Sequence, residues 1–179
     1  MSLTSVQQLL YQQLAPCMLF GTSIKDNGIT VSMDRRTGET ILFFRLDSDE
    51  GYVCLGIRRQ AIIGSDGSAK CCDGLISYLK DLASVKELLC FLEMKGGNQE
   101  RASEQIISAY HRVKYILDTN RLFEAKKIMA CICARRQVPS LVQKKLRENL
   151  KAVFGEHVHI KTGVSHYDIG SVIREHVDR

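Results

Sequence analysis

Tryptophan is absent from this chain of 179 residues, and proline occurs only 2 times. Because proline is so scarce, a collagen-like or proline-rich linker protein is excluded. No apolar run approaches the roughly 18 residues that a membrane-spanning helix needs, the longest being ELLCFLEM and IMACICA. The first residues also lack a positively charged leader with a small-residue cleavage site. We therefore expect no membrane partner and a cytoplasmic location.

Composition places the chain among ordinary globular proteins. Hydrophobic residues make up 45% of the sequence and charged residues 25%, which excludes wholesale disorder. The length fits one domain spanning residues 1–179. The formal net charge of +5 permits a nucleic acid or another polyanion as partner but does not demand one.

The seven cysteines do not form the pattern of a disulfide scaffold or of a zinc site. Their number is odd, Cys71 and Cys72 are adjacent, and most lie in apolar, strand-like segments. No C-x2-C pair is present, so we interpret the cysteines as reduced thiols in the core. His157 and His159 are two positions apart on a strand-like segment. This spacing allows a metal-binding pair, or two histidines that are simply packed or solvated.

Hydrophobic periodicity predicts a mixed α/β fold, in which a mixed central β-sheet is flanked by helices. Helical spacing indicates helices over 4–15, 98–118 and 139–154, with a short helix after about 165. The pattern predicts strands over 27–33, 39–46, 51–63, 69–79, 87–95, 126–136 and 157–163, with a turn at RRTG.

The strand ELLCFLEMK changes character at its end. Both of its faces are apolar up to Glu93, which is typical of a central strand covered on both sides. One face then carries Glu93 and Lys95. Because an unpaired buried carboxylate costs several kcal/mol, we expect the strand to end in a cleft, or the two charges to be matched there.

Asp73 lies in the preceding apolar segment, which we expect to pair antiparallel with this strand. Two carboxylates on neighbouring strands repel each other, and one of them would take up a proton in a low dielectric. A divalent cation such as Mg²⁺ or Mn²⁺ removes this conflict, and Lys95 beside it could orient water or stabilise charge. The other interpretation is a routine ion pair between Glu93 and Lys95 at a strand edge.

These residues resemble a known family. Asp73, a hairpin-length gap, a strand ending Glu93-Met94-Lys95 and a following helix with Gln105 and Tyr110 look like the PD-(D/E)xK nuclease superfamily. The run also resembles small uncharacterised prokaryotic and phage proteins with this signature. The resemblance implies a restriction-endonuclease-like fold with an αβββαβ core, here within about 27–163. It implies hydrolysis of DNA phosphodiester bonds with Mg²⁺ or Mn²⁺ as cofactor.

Carried over position by position, the resemblance assigns roles. Asp73 and Glu93 would be metal ligands, with the Met94 carbonyl as a third. Lys95 would be the catalytic lysine and Gln105 a further catalytic residue, whereas Tyr110 lies on the apolar stripe of its helix and is expected in the core.

The first helix departs from the family pattern. It offers several glutamines and no carboxylate, although many members have an acidic residue there. The site would then hold one metal weakly, or another residue such as Glu50 would contribute. The alternatives are a non-catalytic nucleic-acid-binding protein on the same fold and an α/β protein without any nucleic-acid role.

Basic residues near the expected sheet ends are candidates for contacting nucleic acid. Arg58, Arg59 and Lys70 flank the strands that lead to Asp73, and we expect these to bind phosphates. The Arg135-Arg136 pair is a further basic cluster, while the lysines of helix 139–154 are expected on a solvated face. DNA is the expected partner, and RNA and a homodimer stay open.

Overall fold

The computed structural model describes residues 3–55, 71–81, 86–97, 99, 101–122 and 127–178. The helices are α1 (Ser5–Leu14), α2 (Asp49–Cys54), α3 (Ala102–Thr119), α4 (Ser140–Phe154) and α5 (Gly170–Asp178). The strands are β1 (Met18–Leu19), β2 (Ser23–Asp26), β3 (Ile29–Ser32), β4 (Thr40–Arg45), β5 (Gly74–Leu79), β6 (Glu87–Lys95), β7 (Lys127–Ala134), β8 (Val158–Thr162) and β9 (His166–Asp168). In this part of the chain no helix has both the length and the apolar character needed to cross a membrane.

The strands form two sheets. The larger has six strands in the order β1-β4-β5-β6-β7-β8. Its β1–β4, β4–β5 and β5–β6 pairs are antiparallel, whereas β6–β7 and β7–β8 are parallel. The parallel pairs follow from the crossover helices α3 and α4, since a parallel connection requires such a crossover. The smaller sheet is the β2–β3 hairpin with β9 added parallel to β3.

Each face of the large sheet is covered by its own apolar layer. Helices α1, α3 and α4 cover one face, where residues such as Leu10, Ile106 and Leu150 pack with Phe91. The small sheet and α5 cover the other face, which includes Leu92. Because residues 91 and 92 point to opposite layers, β6 is buried on both sides, as its sequence predicts. The predicted mixed α/β fold with a central mixed sheet is therefore confirmed.

Two local predictions are wrong. Residues 51–54 belong to α2 and not to a strand, and Asp49 and Glu50 supply the negative charge that favours a helix N-terminus. Asn27 and Gly28 do not begin a strand, because both have positive φ angles, 50° and 72°, and form the turn between β2 and β3. The predicted turn at RRTG is present, and the strands on either side of it, β3 and β4, belong to different sheets. The other part of the predicted strand 51–63, from residue 56 onward, lies outside the described residues.

Candidate functional site

The candidate site lies where β5 begins and β6 ends. In the antiparallel register Gly74 is opposite Leu92, and continuing it by one position places residue 73 opposite residue 93. Asp73 is 5% exposed, and its carboxylate accepts a hydrogen bond from the backbone N–H of Met94. The two acidic residues that the sequence singled out are therefore brought to the same end of neighbouring strands.

Glu93 is an under-satisfied carboxylate inside the protein. Its side chain is 1% exposed, and the Lys95 Nζ lies 2.5 Å from its Oε1. The backbone N–H of Asp73 also lies near enough to favour the ionised form. Even so, neither carboxylate oxygen of Glu93 accepts a hydrogen bond of normal geometry from the described residues. A buried carboxylate with so few donors has capacity left for a cationic ligand.

Both carboxyl groups are held in surroundings that disfavour ionisation. Burial raises the pKa of Asp73 far above its ordinary value, and the charge of Glu93 raises it further. Burial also raises the pKa of Glu93, although the Lys95 ammonium opposes this effect. The conflict between neighbouring carboxylates that the sequence predicts is present in the structure.

Gln105 connects the helix after the motif to the site. The Lys95 Nζ donates to the Gln105 Oε1 at 2.5 Å, and the Gln105 Nε2 donates to the Cys71 carbonyl at 3.3 Å. Gln105 therefore fixes the position of the lysine and ties α3 to the segment before β5. Tyr110 is buried and packs edge-to-face against Phe91 at 5.9 Å, which confirms that it is a core residue.

The Met94 carbonyl already has a partner. The Asn27 side chain donates to it at 2.9 Å, so the β2–β3 turn is fastened to the end of β6. A carbonyl oxygen has a second lone pair, which leaves one acceptor direction for a ligand.

The structure adds three charged residues that the sequence analysis missed, namely Asp26, Arg45 and Asp47. Carboxylate oxygens of Asp26, Asp47 and Asp73 lie within 4.8 Å of one another. Arg45 bridges the first two, with its Nη2 3.1 Å from the Asp26 Oδ1 and its Nε 2.9 Å from the Asp47 Oδ1. Asp26 precedes an Asn-Gly turn and Asp47 follows a strand end, positions where aspartate is common, so no sequence signal distinguishes them. Glu50 is not part of this group.

The sequence also singled out basic residues near the sheet ends and the two histidines of HVHI. Arg58, Arg59 and Lys70 lie outside the described residues. His159 shares a 2.7 Å hydrogen bond with Tyr167, and the His157 ring lies 5.2 Å from that of His176. The two histidines of HVHI thus have different partners.

The site combines buried oxygen donors with one ammonium group. Carboxylate and carbonyl oxygens are the ligands of hard divalent cations, and the unmet hydrogen-bonding capacity of Glu93 fits such an ion. No protein-family model, no curated protein and no solved structure matches this chain.

Proposed function

We propose that this protein is a nuclease of the PD-(D/E)xK type that hydrolyses DNA phosphodiester bonds with Mg²⁺ or Mn²⁺. The observation that carries the proposal is the meeting of Asp73 and Glu93 at one end of the β5–β6 pair, with Lys95 against Glu93. A routine edge ion pair would be solvent-exposed, whereas the Glu93 side chain is 1% exposed.

The order of elements supports the same proposal. With strands β1 to β3 and the short helix α2 taken as additions, the elements α1, β4, β5, β6, α3 and β7 follow in chain order the αβββαβ sequence expected of a restriction-endonuclease-like core. The motif residues lie at the beginning of the second of these strands and at the end of the third.

The carboxylates of Asp73 and Glu93 and the free lone pair of the Met94 carbonyl would hold the cation. When bound, a divalent cation polarises the phosphodiester and neutralises charge that develops on its oxygens. Lys95 would orient the attacking water and stabilise the phosphorane-like charge. Gln105 keeps the lysine ammonium in place through its 2.5 Å contact. In hydrolysis the water oxygen bonds to phosphorus, one ester P–O bond breaks, and a proton from the water ends on the departing oxygen, which gives a phosphomonoester and an alcohol.

The test is a cleavage assay on supercoiled, linear and single-stranded DNA and on RNA, with Mg²⁺ or Mn²⁺. We expect cleavage of DNA that EDTA abolishes and that falls at least about 100-fold in both Asp73→Asn and Lys95→Ala. Asp34→Asn and Lys145→Ala are matched controls at exposed positions and should cleave like the wild type. Absence of cleavage, or cleavage that survives both site variants, would contradict the proposal.

A non-catalytic nucleic-acid-binding protein on the same fold is the second candidate. It is favoured by the absence of carboxylates in α1 and by the Asn27 side chain that already occupies the Met94 carbonyl. It predicts salt-sensitive binding of DNA that Asp73→Asn leaves intact. It also predicts no rise in the melting temperature with Mn²⁺, whereas a cation bound to the native state must raise it.

A further inference from the structure

A pair of arginines leaves the large sheet beside the candidate site. Ala134, the last residue of β7, is paired with Lys95 in the parallel register. The next backbone N–H, that of Arg135, donates to the Lys95 carbonyl at 3.0 Å. Arg135 and Arg136 therefore lie at the same end of the sheet as the site lysine, one and two residues after the position paired with Lys95.

Hydrogen bonds flank these arginines on both sides. Beyond them, the Gln137 Oε1 accepts a 2.8 Å hydrogen bond from the Thr162 hydroxyl at the end of β8. The hydrogen bond between Arg135 and Lys95 holds the other side. The Arg135 backbone is thus held to β6, so this residue loses less entropy on binding than a residue of a free loop would.

Arg135 also contacts the turn between β2 and β3. A Cβ built on Gly28 would lie 3.0 Å from the Arg135 Nη1, so the guanidinium rests against this glycine. The same turn is fastened to the site strand, because Asn27 donates to the Met94 carbonyl. The guanidinium consequently lies beside the candidate site and not on a distant surface.

Both arginines are exposed, and neither has an acidic partner within the part of the chain that the structure describes. Other cations near the site are engaged, since Arg45 is paired with Asp26 and Lys95 with Glu93. Asp26 and Asp47, together with Asp73 and Glu93 when these are ionised, repel a polyanion, so a bound nucleic acid needs free positive charge next to the site.

We propose that Arg135 and Arg136 bind the phosphates of the nucleic-acid backbone that flank the phosphodiester held at the candidate site. The proposal rests on the proposed function, which places a phosphodiester at Asp73, Glu93 and Lys95. Arginine suits this role because its planar fork donates two hydrogen bonds to one phosphate. A nucleic acid that places a phosphodiester at the candidate site carries further phosphates on either side of it, which an acidic protein does not.

The test measures binding apart from cleavage. A fluorescein-labelled DNA duplex is titrated with full-length protein in EDTA over a series of KCl concentrations, and fluorescence anisotropy is recorded. We expect the double variant R135Q/R136Q to bind at least about tenfold more weakly. Its slope of log K against log[KCl] should be smaller by about 2, because each arginine neutralises one phosphate in the wild type. R121Q is the matched control, because Arg121 is exposed beyond the C-terminal end of α3, away from the site.

Several outcomes overturn the interface: no binding by the wild type, an unchanged affinity and slope in R135Q/R136Q, or equal competition by polyglutamate, which would indicate an acidic protein partner. If the double variant does not fold, as judged by circular dichroism, R136Q replaces it, because the Arg136 side chain has no hydrogen bond or ion pair with the described residues; its slope should then fall by about 1. Arginine-dependent binding without any cleavage leaves the interface intact and contradicts the nuclease. Cleavage with arginine-independent binding does the reverse.

Discussion

Asp73 and Glu93 are buried carboxyl groups that the folded chain keeps in an unfavourable environment. Because the folded-state pKa of Asp73 is raised, its protonated form is favoured in the folded protein. The stability associated with that proton is complete below the unfolded value near 3.8 and is lost as the pH rises through the folded value. At higher pH the folded protein must keep Asp73 ionised in a buried position, which lowers its stability. A bound cation would offset this loss.

The first prediction concerns Asp73→Asn, which keeps a hydrogen-bond acceptor for the Met94 N–H but removes the charge. In EDTA at pH 8 we expect the variant to be more stable than the wild type by about 1 to 3 kcal/mol. With Mn²⁺ present, only the wild type should gain in melting temperature. The measurement is urea unfolding together with thermal melts, and the exposed Asp34→Asn serves as control. A destabilised variant that still responds to Mn²⁺ would refute this account.

Glu39 shows the opposite electrostatic situation. Its carboxylate receives hydrogen bonds from the Arg174 Nε at 2.7 Å, from the Tyr78 hydroxyl at 2.8 Å and from the Arg36 backbone at 2.9 Å. Burial raises its pKa, but the hydrogen bonds outweigh this effect and lower the pKa from 4.5 to about 2. The ion pair ties α5 to the large sheet through the ionised form of Glu39.

The second prediction follows from this lowered pKa. The contribution of Glu39 to stability is present above pH 4.5 and is lost as the pH falls towards about 2. Between these limits the wild type should lose on the order of 3 kcal/mol relative to Glu39→Gln. Urea unfolding at pH 7, 4 and 2.5 measures the difference. Glu156→Gln removes an ion pair whose glutamate is 84% exposed, and it should leave the profile unchanged.

At the scale of elements, the β2–β3 hairpin is held closely against the start of β5. A Cβ on Gly74 would lie 2.9 Å from the Ile24 Cδ1 and 3.3 Å from the Phe44 carbonyl oxygen. Glycine is therefore required there by the close approach of a side chain and a neighbouring strand. This packing also keeps the hairpin end, with Asp26, beside Asp73.

The third prediction is that Gly74→Ala destabilises the protein by about 1 to 3 kcal/mol, because the added methyl group must displace Ile24 or the β4 backbone. Gly21→Ala is the matched control, since nothing lies within 4 Å of its added Cβ, and it should be close to neutral. Thermal unfolding of both variants provides the comparison. Equal stability of the two variants would show that the hairpin yields easily.

Across the whole molecule, the burial of the cysteines shows how little of the core is accessible to solvent. All seven are free, and six of them are buried, while Cys54 is half-buried. Burial raises the pKa of the Cys71 thiol to about 12, and it raises that of the fully enclosed Cys72 well above its usual range. Because the thiolate is the reactive form, burial blocks both access and ionisation.

The fourth prediction uses a thiol-specific reagent such as DTNB at pH 8. We expect at most one equivalent to react in the native protein within minutes, and seven equivalents in guanidinium chloride, because exposure requires unfolding. Cys54→Ser should remove the fast-reacting equivalent. Rapid reaction of several thiols in the native state would mean that one face of the sheet opens readily.

Elements whose periodicity is local and uninterrupted could be predicted from the sequence alone. The two-sided apolar pattern of ELLCFLEMK fixed β6 as a central strand, and the helical spacing fixed α3 and α4, since side-chain direction repeats every two or every 3.6 residues. The sequence also placed Asp73 and Glu93 at the ends of neighbouring strands, because a hairpin constrains the register of its own two strands.

The elements that cover the second face of the large sheet, and the residues that surround the site, come from contacts between distant segments of the folded chain. The small sheet pairs Thr30 with His166, residues far apart in the chain, and no local pattern encodes such a contact. The same reason explains why the residues beside the site could not be predicted, namely Asp26, Asp47 and Arg135. Strand order and hydrogen bonding between distant segments set their positions. The sequence gives the chemistry of each side chain directly, whereas the neighbours of that side chain depend on how distant segments pack around the core.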